Sequence, residues 1–123
     1  MKFAASFFDA IIGLSIFTHL SEKNHFAWID ELYRIIKFGG LVLITTQGEA
    51  YRSRLTRNEK EAFDANQLVT RKYLNEGNRL YSSFQPQGFM KKLVAGKFQI
   101  VEFIPGVVQN DELSQDNWVL RKI

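Results

Sequence analysis

Residues 8–20, FDAIIGLSIFTHL, begin as an almost uninterrupted apolar run and then turn polar at Ser15, Thr18 and His19. A short run rich in Ile, interrupted only by Asp9 and Gly13, suits a strand covered on both faces, as in a parallel sheet. Phe8–Leu14 is therefore predicted to be a strand, and the polar residues behind it form a corner at its carboxyl end.

The residues that follow supply the rest of a strand–helix–strand unit. Ser21 is placed to cap a helix with Glu22 in its first turn. From His25 to Lys37, Phe26, Ile29, Leu32, Tyr33 and Ile36 recur at intervals of three and four, predicting one apolar stripe with His25 on the exposed surface. Arg34 and Lys37 suit the carboxyl end of the helix, and Gly39-Gly40 stop it, with Gly39 placed for a left-handed cap. The next stretch, LVLITT (Leu41–Thr46), reads as a second strand. In a sheet of this kind ligands bind outside the carboxyl ends of the strands. Here those ends are Gly13–His19 and Thr45–Tyr51, both rich in small or polar residues.

The remaining chain is read more coarsely. Thr56 and Glu59 have capping-box spacing, predicting a helix that reaches about Leu68. Val69–Tyr73 and Arg79–Phe84 have strand character around the turn signal Asn75-Glu76-Gly77-Asn78. Pro86 opens a helix over Gln87–Ala95 that ends near Gly96. Phe98–Ile104 and Trp118–Ile123 are predicted to pair as an antiparallel hairpin across a polar loop, Gln109–Gln115, closing one edge of the sheet. Tyr81, Phe84 and Gln85 read as part of a lid over the site, with core as an equal alternative for the two aromatics.

Composition sets the outer limits. The chain has 123 residues, 46% hydrophobic, with eleven Phe and a net charge of +3. That suffices for one domain with a sizeable core. Lys and Arg are scattered, so the mild basicity reads as solvated surface and predicts no nucleic-acid partner. The absence of Cys excludes disulfides, thiol catalysis and Cys-ligated metals. No apolar run is long enough to span a bilayer, and a soluble cytoplasmic protein is expected. No metal is expected either, because two histidines six residues apart share a helix face poorly and lack a carboxylate cluster.

The order of these motifs resembles the carboxyl-terminal half of class I S-adenosylmethionine-dependent methyltransferases. FDAIIGLSIFTHL is similar to the family's fourth strand and its Ser-and-His corner. ELYRIIKFGG is similar to the helix that ends Arg-apolar-Leu-Lys-Pro-Gly-Gly, with Phe38 standing where Pro is usual. LVLITTQG corresponds to the fifth strand, and FQIVEFIPG…SQDNWVLRK to the sixth and seventh. The resemblance implies a Rossmann-like α/β fold, partial in this chain: parallel strands, a C-terminal antiparallel hairpin and helices on the faces. The family's glycine-rich turn and the acid that holds the ribose have no counterpart here.

By this resemblance, Leu14, Ser15 and Ile16 lie near the methionyl and sulfonium part of S-adenosylmethionine. His19 faces a small-molecule acceptor as a general base, its alternative being a structural histidine that bonds backbone. Thr18, Gln47, Tyr51 and Arg52 are the candidate acceptor contacts. The chain alone is expected to bind the cofactor weakly or not at all. Its first strand, lacking a neighbour, is expected to pair with a second copy or with a separate N-terminal half. The competing reading is a non-catalytic interaction module that uses this edge.

Overall fold

The computed structural model describes residues 3–71 and 81–123. In chain order the elements are β1 (Phe8–Gly13), α1 (Glu22–Ile35), β2 (Ile36–Thr46), α2 (Arg57–Asp64), β3 (Val69–Arg71), β4 (Ser82–Phe84) and α3 (Gln87–Val94). The chain closes with β5 (Phe98–Ile104), β6 (Val108–Gln109), β7 (Glu112–Leu113) and β8 (Asp116–Lys122). Short 3-10 turns stand at Phe17–His19 and Glu49–Arg54.

Four strands form the main sheet in the order β1-β2-β8-β5. β1 is parallel to β2, pairing Ala10 to Gly13 with Leu41 to Ile44. β8 is antiparallel to both β2 and β5. The predicted C-terminal hairpin is therefore present, and its second arm sits inside the sheet. The loop between its arms is more ordered than its polar composition suggests. β6 and β7 form a two-stranded ribbon there, turning on Asn110 and Asp111, both at positive φ. Asn and Asp tolerate that left-handed backbone better than most residues.

α1 starts where its cap predicts, with Ser21 Oγ accepting from Asn24 N–H at 3.2 Å. Its buried face is His25, Ile29, Leu32 and Ile35. Phe26 is 45% exposed and His25 is fully buried, which reverses the expected assignment of these neighbours. The two lie one position apart, and periodicity alone places either at the margin of the stripe. The polar partner waiting for His25 decides between them. The helix also ends earlier than Gly39-Gly40 suggest, at Ile35. Residues 37–40 bulge from the β1–β2 pairing, between the Phe8–Ile36 and Ala10–Leu41 pairs. Gly39 takes φ +75° there, and a Cβ on Gly40 would strike the carbonyls of Lys37 and Asp9.

The main core joins α1 and α3 to one face of the sheet. Ile29, Leu32, Ile35, Phe89, Met90 and Leu93 meet Val42, Ile44, Trp118 and Leu120 in one cluster. Each such side chain contributes about 1.5–3 kcal/mol on burial. The shared face follows from handedness. β1, β2 and β5 are parallel and succeed one another in one direction across the sheet. Right-handed crossovers stepping the same way put their helices on the same side. Helices thus cover one face rather than both, among the described residues. A smaller core gathers Leu55, Phe63, Val69 and Phe84 around α2 and the β3–β4 ribbon. The turn predicted at 75–78 lies outside the described residues.

The charge of Lys122 is absorbed within this frame. Its side chain is buried, its Nζ donates to Ile36 O at 2.9 Å, and the rings of Tyr33 and Phe38 lie 4.3 and 4.5 Å away. It therefore neutralises the negative end of α1.

Candidate functional site

The carboxyl ends of β1 and β2 come together as expected, and β8 adds its amino end beside them. The chain leaves β1 through Leu14 and reverses at Ser15, whose φ is +56°. That backbone is costly for a residue with a Cβ, and hydrogen bonds hold it. Ser15 N–H donates to Thr45 Oγ1 at 2.8 Å, and Ser15 Oγ lies 3.1 Å from Gln115 Oε1. Thr18 Oγ1 donates to Ser15 O at 3.1 Å. One strained residue thus ties together β1, β2 and the hairpin leading into β8.

His19 ends the 3-10 turn. Its Nδ1 lies 2.8 Å from Tyr81 O. A carbonyl oxygen only accepts, so Nδ1 carries the proton and the neutral imidazole keeps its lone pair on Nε2. Tyr81 is itself buried, and its hydroxyl has no hydrogen-bond partner among the described residues.

Beneath the turn lies a buried polar network that the sequence reading did not assemble. Gln85 Oε1 accepts from Gln47 N–H at 2.8 Å, which orients the amide. Gln85 Nε2 then points at Phe17 O, Ser83 Oγ and His25 Nε2, at 3.0, 2.9 and 3.1 Å. His25 Nδ1 donates to Ser21 O at 2.7 Å, and Ser83 Oγ donates to Phe17 O at 2.8 Å. His25, Ser83 and Gln85 are all fully buried. Gln85 and Phe84 are accordingly core residues, not a lid. The one sequence signal for the network is that Ser83 and Gln85 alternate, so they share a strand face.

The other predicted residues are placed as follows. Leu14 and Ile16 are exposed beside Ser15. Thr18 is buried, with its hydroxyl spent on the turn. Gln47 spends its side-chain amide on Ser83 O at 2.8 Å. Tyr51 Oη reaches Leu113 O at 3.3 Å, and burial raises its hydroxyl pKa. Arg52 makes a two-pronged pair with Asp64, at 2.8 and 2.6 Å, and this bond holds the Asp64 carboxyl below its usual range. Glu49 lies further along, lining an open hollow with Phe63, Asp64, Asn66, Pro86 and Gln87.

Asp116 is the charged residue of this region that composition and motif did not single out. It is buried at the start of β8, and one carboxylate oxygen accepts from Gly106 N–H at 2.7 Å. Its other oxygen lies so near Gly48 that a Cβ there would collide with it. Burial pushes the Asp116 carboxyl above its usual range, and Glu49 adds to this, while the Gly106 bond opposes both. Among the described residues no cluster of His, Asp or Glu is arranged to hold a metal, and no helix is long and apolar enough to cross a membrane.

No protein-family model matches the chain, and no curated protein matches it. Solved structures do. An S-adenosylmethionine-dependent methyltransferase from Methanosarcina mazei aligns with a TM-score of 0.71 at 15% identity, over 100% of this chain and 63% of its own. The PH0226 protein from Pyrococcus horikoshii aligns at 0.65 and 15% identity, over 100% and 55%. A protein from work on the conversion of a disulfide bond into a thioacetal group during echinomycin biosynthesis aligns at 0.56 and 14% identity, over 96% and 50%. The chain has a class I methyltransferase-like fold, and it spans between half and two thirds of the length of these neighbours.

Proposed function

We propose that this chain is the carboxyl-terminal part of a domain that transfers a methyl group from S-adenosylmethionine to a small acceptor. The observation that carries the reading is the Ser15 corner: a left-handed residue, cross-tied to β2 and to Gln115 just before β8, at the carboxyl ends of the strands of a methyltransferase-like sheet. Strain held this firmly clusters at ligand sites.

The residues fit one side of the cofactor. Leu14 and Ile16 offer exposed apolar surface and Ser15 a backbone turn, where the methionyl part would rest. The sequence has no glycine-rich turn, and Asp116, the acid next to Gln115, is turned onto Gly106. The chain by itself is therefore a half-site, with weak affinity. When bound, the cofactor supplies an electrophilic sulfonium methyl. The role of His19 is to accept the acceptor's proton on Nε2, since Tyr81 O holds Nδ1–H and fixes the tautomer. Thr18, Gln47, Tyr51 and Arg52 act one step back, shaping the acceptor side through the bonds they make to the protein.

The test is a titration of the isotopically labelled chain with S-adenosylhomocysteine at millimolar concentration, followed by backbone amide NMR. Shifts centred on Leu14, Ser15 and Ile16 are expected. Saturation with no shift at these amides, or shifts confined to another surface, would overturn the reading. The second reading, an interaction module without chemistry, draws its support from the uncovered edge of β1 and predicts no response at the corner.

A further inference from the structure

Buried charges are ordinarily matched, because an uncompensated one is costly to hold away from water. The buried cation Lys122 follows this rule, with a carbonyl and two aromatic rings around it. Asp116 does not. It is only 2% exposed, yet among the described residues no Lys, Arg or His lies within ion-pair distance of it. The charged group that acts on it is another acid, Glu49. Glu49 is exposed and likewise has no ion pair among the described residues.

The two oxygens of Asp116 are treated differently. Oδ1 accepts from Gly106 N–H at 2.7 Å. Oδ2 stands where a side chain at position 48 would begin, a place left free because that residue is glycine. It accepts no hydrogen bond among the described residues. Nor is it sealed in, since Tyr81 Oη is the side-chain polar atom that is both fully buried and unpartnered there. The free oxygen therefore lies at the floor of a narrow opening. The cations of this region are committed elsewhere. Arg52 is paired with Asp64, and Arg54 acts on the Tyr51 hydroxyl and not on Asp116.

We propose that Asp116 and Glu49 hold the protonated amine of a small acceptor, with Asp116 as the buried anchor and Glu49 as the outer carboxylate. Assigning the amine to a methyl acceptor rests on the methyl-transfer reading; the cation site itself does not. An ammonium group is compact and carries three donors without an acceptor, which suits an oxygen at the floor of a narrow opening. A divalent metal ion needs more ligands, and among the described residues no third acid or histidine joins these two. The position suits an acceptor as well. Asp116 faces Thr46 across the β2–β8 pairing, at the carboxyl end of β2. It also follows Gln115, whose side chain meets Ser15 Oγ at the corner.

The test uses propylammonium as the probe, with propanol and sodium chloride as its uncharged and inorganic counterparts. Each is titrated into the isotopically labelled chain at neutral pH and followed by NMR. Propylammonium should shift the amides of Gly48, Gly106 and Asp116. It should also move the titration of the Asp116 carboxyl carbon to lower pH, because a bound cation favours the charged form. The two counterparts should do neither. Asp116→Asn keeps an acceptor for Gly106 N–H and should weaken the response by about tenfold or more. Glu49→Gln, at the exposed carboxylate, should weaken it by about two- to fivefold. Should Asp116→Asn fail to fold, the carboxyl titration of the unaltered chain decides. An equal response to propanol or sodium chloride, an undiminished response in Asp116→Asn, or no shift at these amides by high millimolar amine overturns the inference. Shifts at Leu14, Ser15 and Ile16 with S-adenosylhomocysteine, but none at position 116 with the amine, overturn this inference alone. The reverse pattern overturns the donor site and leaves the cation site standing.

Discussion

Gln85 accepts from Gln47 N–H and donates into a space shared by Phe17 O, Ser83 Oγ and His25 Nε2. Replacing it with a residue of similar volume, Gln85→Leu, strands several buried polar groups at once. The expected loss is about 2–4 kcal/mol, read from the urea midpoint. The lost tie to Phe17 O should also speed amide exchange in residues 15–19. Asp116 gives a second prediction, in pH. Its carboxyl pKa is raised by burial, so between the ordinary carboxylate value and the raised one the folded state holds more protons than the unfolded. Stability contributed by this group falls as pH rises through that interval. Asp116→Asn should flatten this part of the stability profile, and should be tolerated at neutral pH because its amide oxygen still accepts from Gly106 N–H. Neither role was legible from sequence. Polar side chains at positions 85 and 116 look like loop residues until folding closes water away from them.

At the scale of elements, the cap of α2 was fully legible. Thr56 Oγ1 accepts from Glu59 N–H and Glu59 returns to Thr56 N–H, at 3.3 and 2.8 Å. Only the fold adds Arg71, which reaches the same carboxylate from β3 at 2.8–3.0 Å. The Arg71 guanidinium holds the Glu59 carboxyl down to about 2 from an ordinary 4.5. Its stabilisation is complete above pH 4.5 and fades as pH falls toward 2. Glu59→Gln should cost about 1–2 kcal/mol at neutral pH, since much of the pair is screened by solvent. The difference from the parent should vanish near pH 2 in acid-unfolding curves. The passage from β2 into its 3-10 turn yields another test. Gly48→Ala drives a methyl group into the Asp116 carboxylate and should cost about 1–3 kcal/mol by thermal melting. β6 and β7 show the limit at this scale, because two-residue strands carry too little pattern to be read.

For the molecule as a whole, the one-sided core predicts an asymmetric response to truncation. Leu120 is fully buried on the helix-covered face, and Leu120→Ala should cost about 2–5 kcal/mol. Ile12→Ala, on the open face, should change chemical stability by less than about 0.5 kcal/mol in the isolated chain. Equal costs at the two positions would mean that the open face is covered in solution.

The sequence by itself determined the alternation of strand and helix, the caps at Ser21 and Thr56, the closing hairpin, and the place of a polar corner after β1. These are local: each is written in periodicity, capping geometry or turn chemistry within about a dozen residues. Tertiary structure alone decided that β8 enters the sheet between β2 and β5, that His25 and not Phe26 faces the core, and that Asp116 is buried. It also decided that both long crossovers lie on one face. Several of these outcomes join residues far apart in the chain, such as His25 with Gln85 and Gly48 with Asp116, and they depend on which groups lose water together when the chain closes.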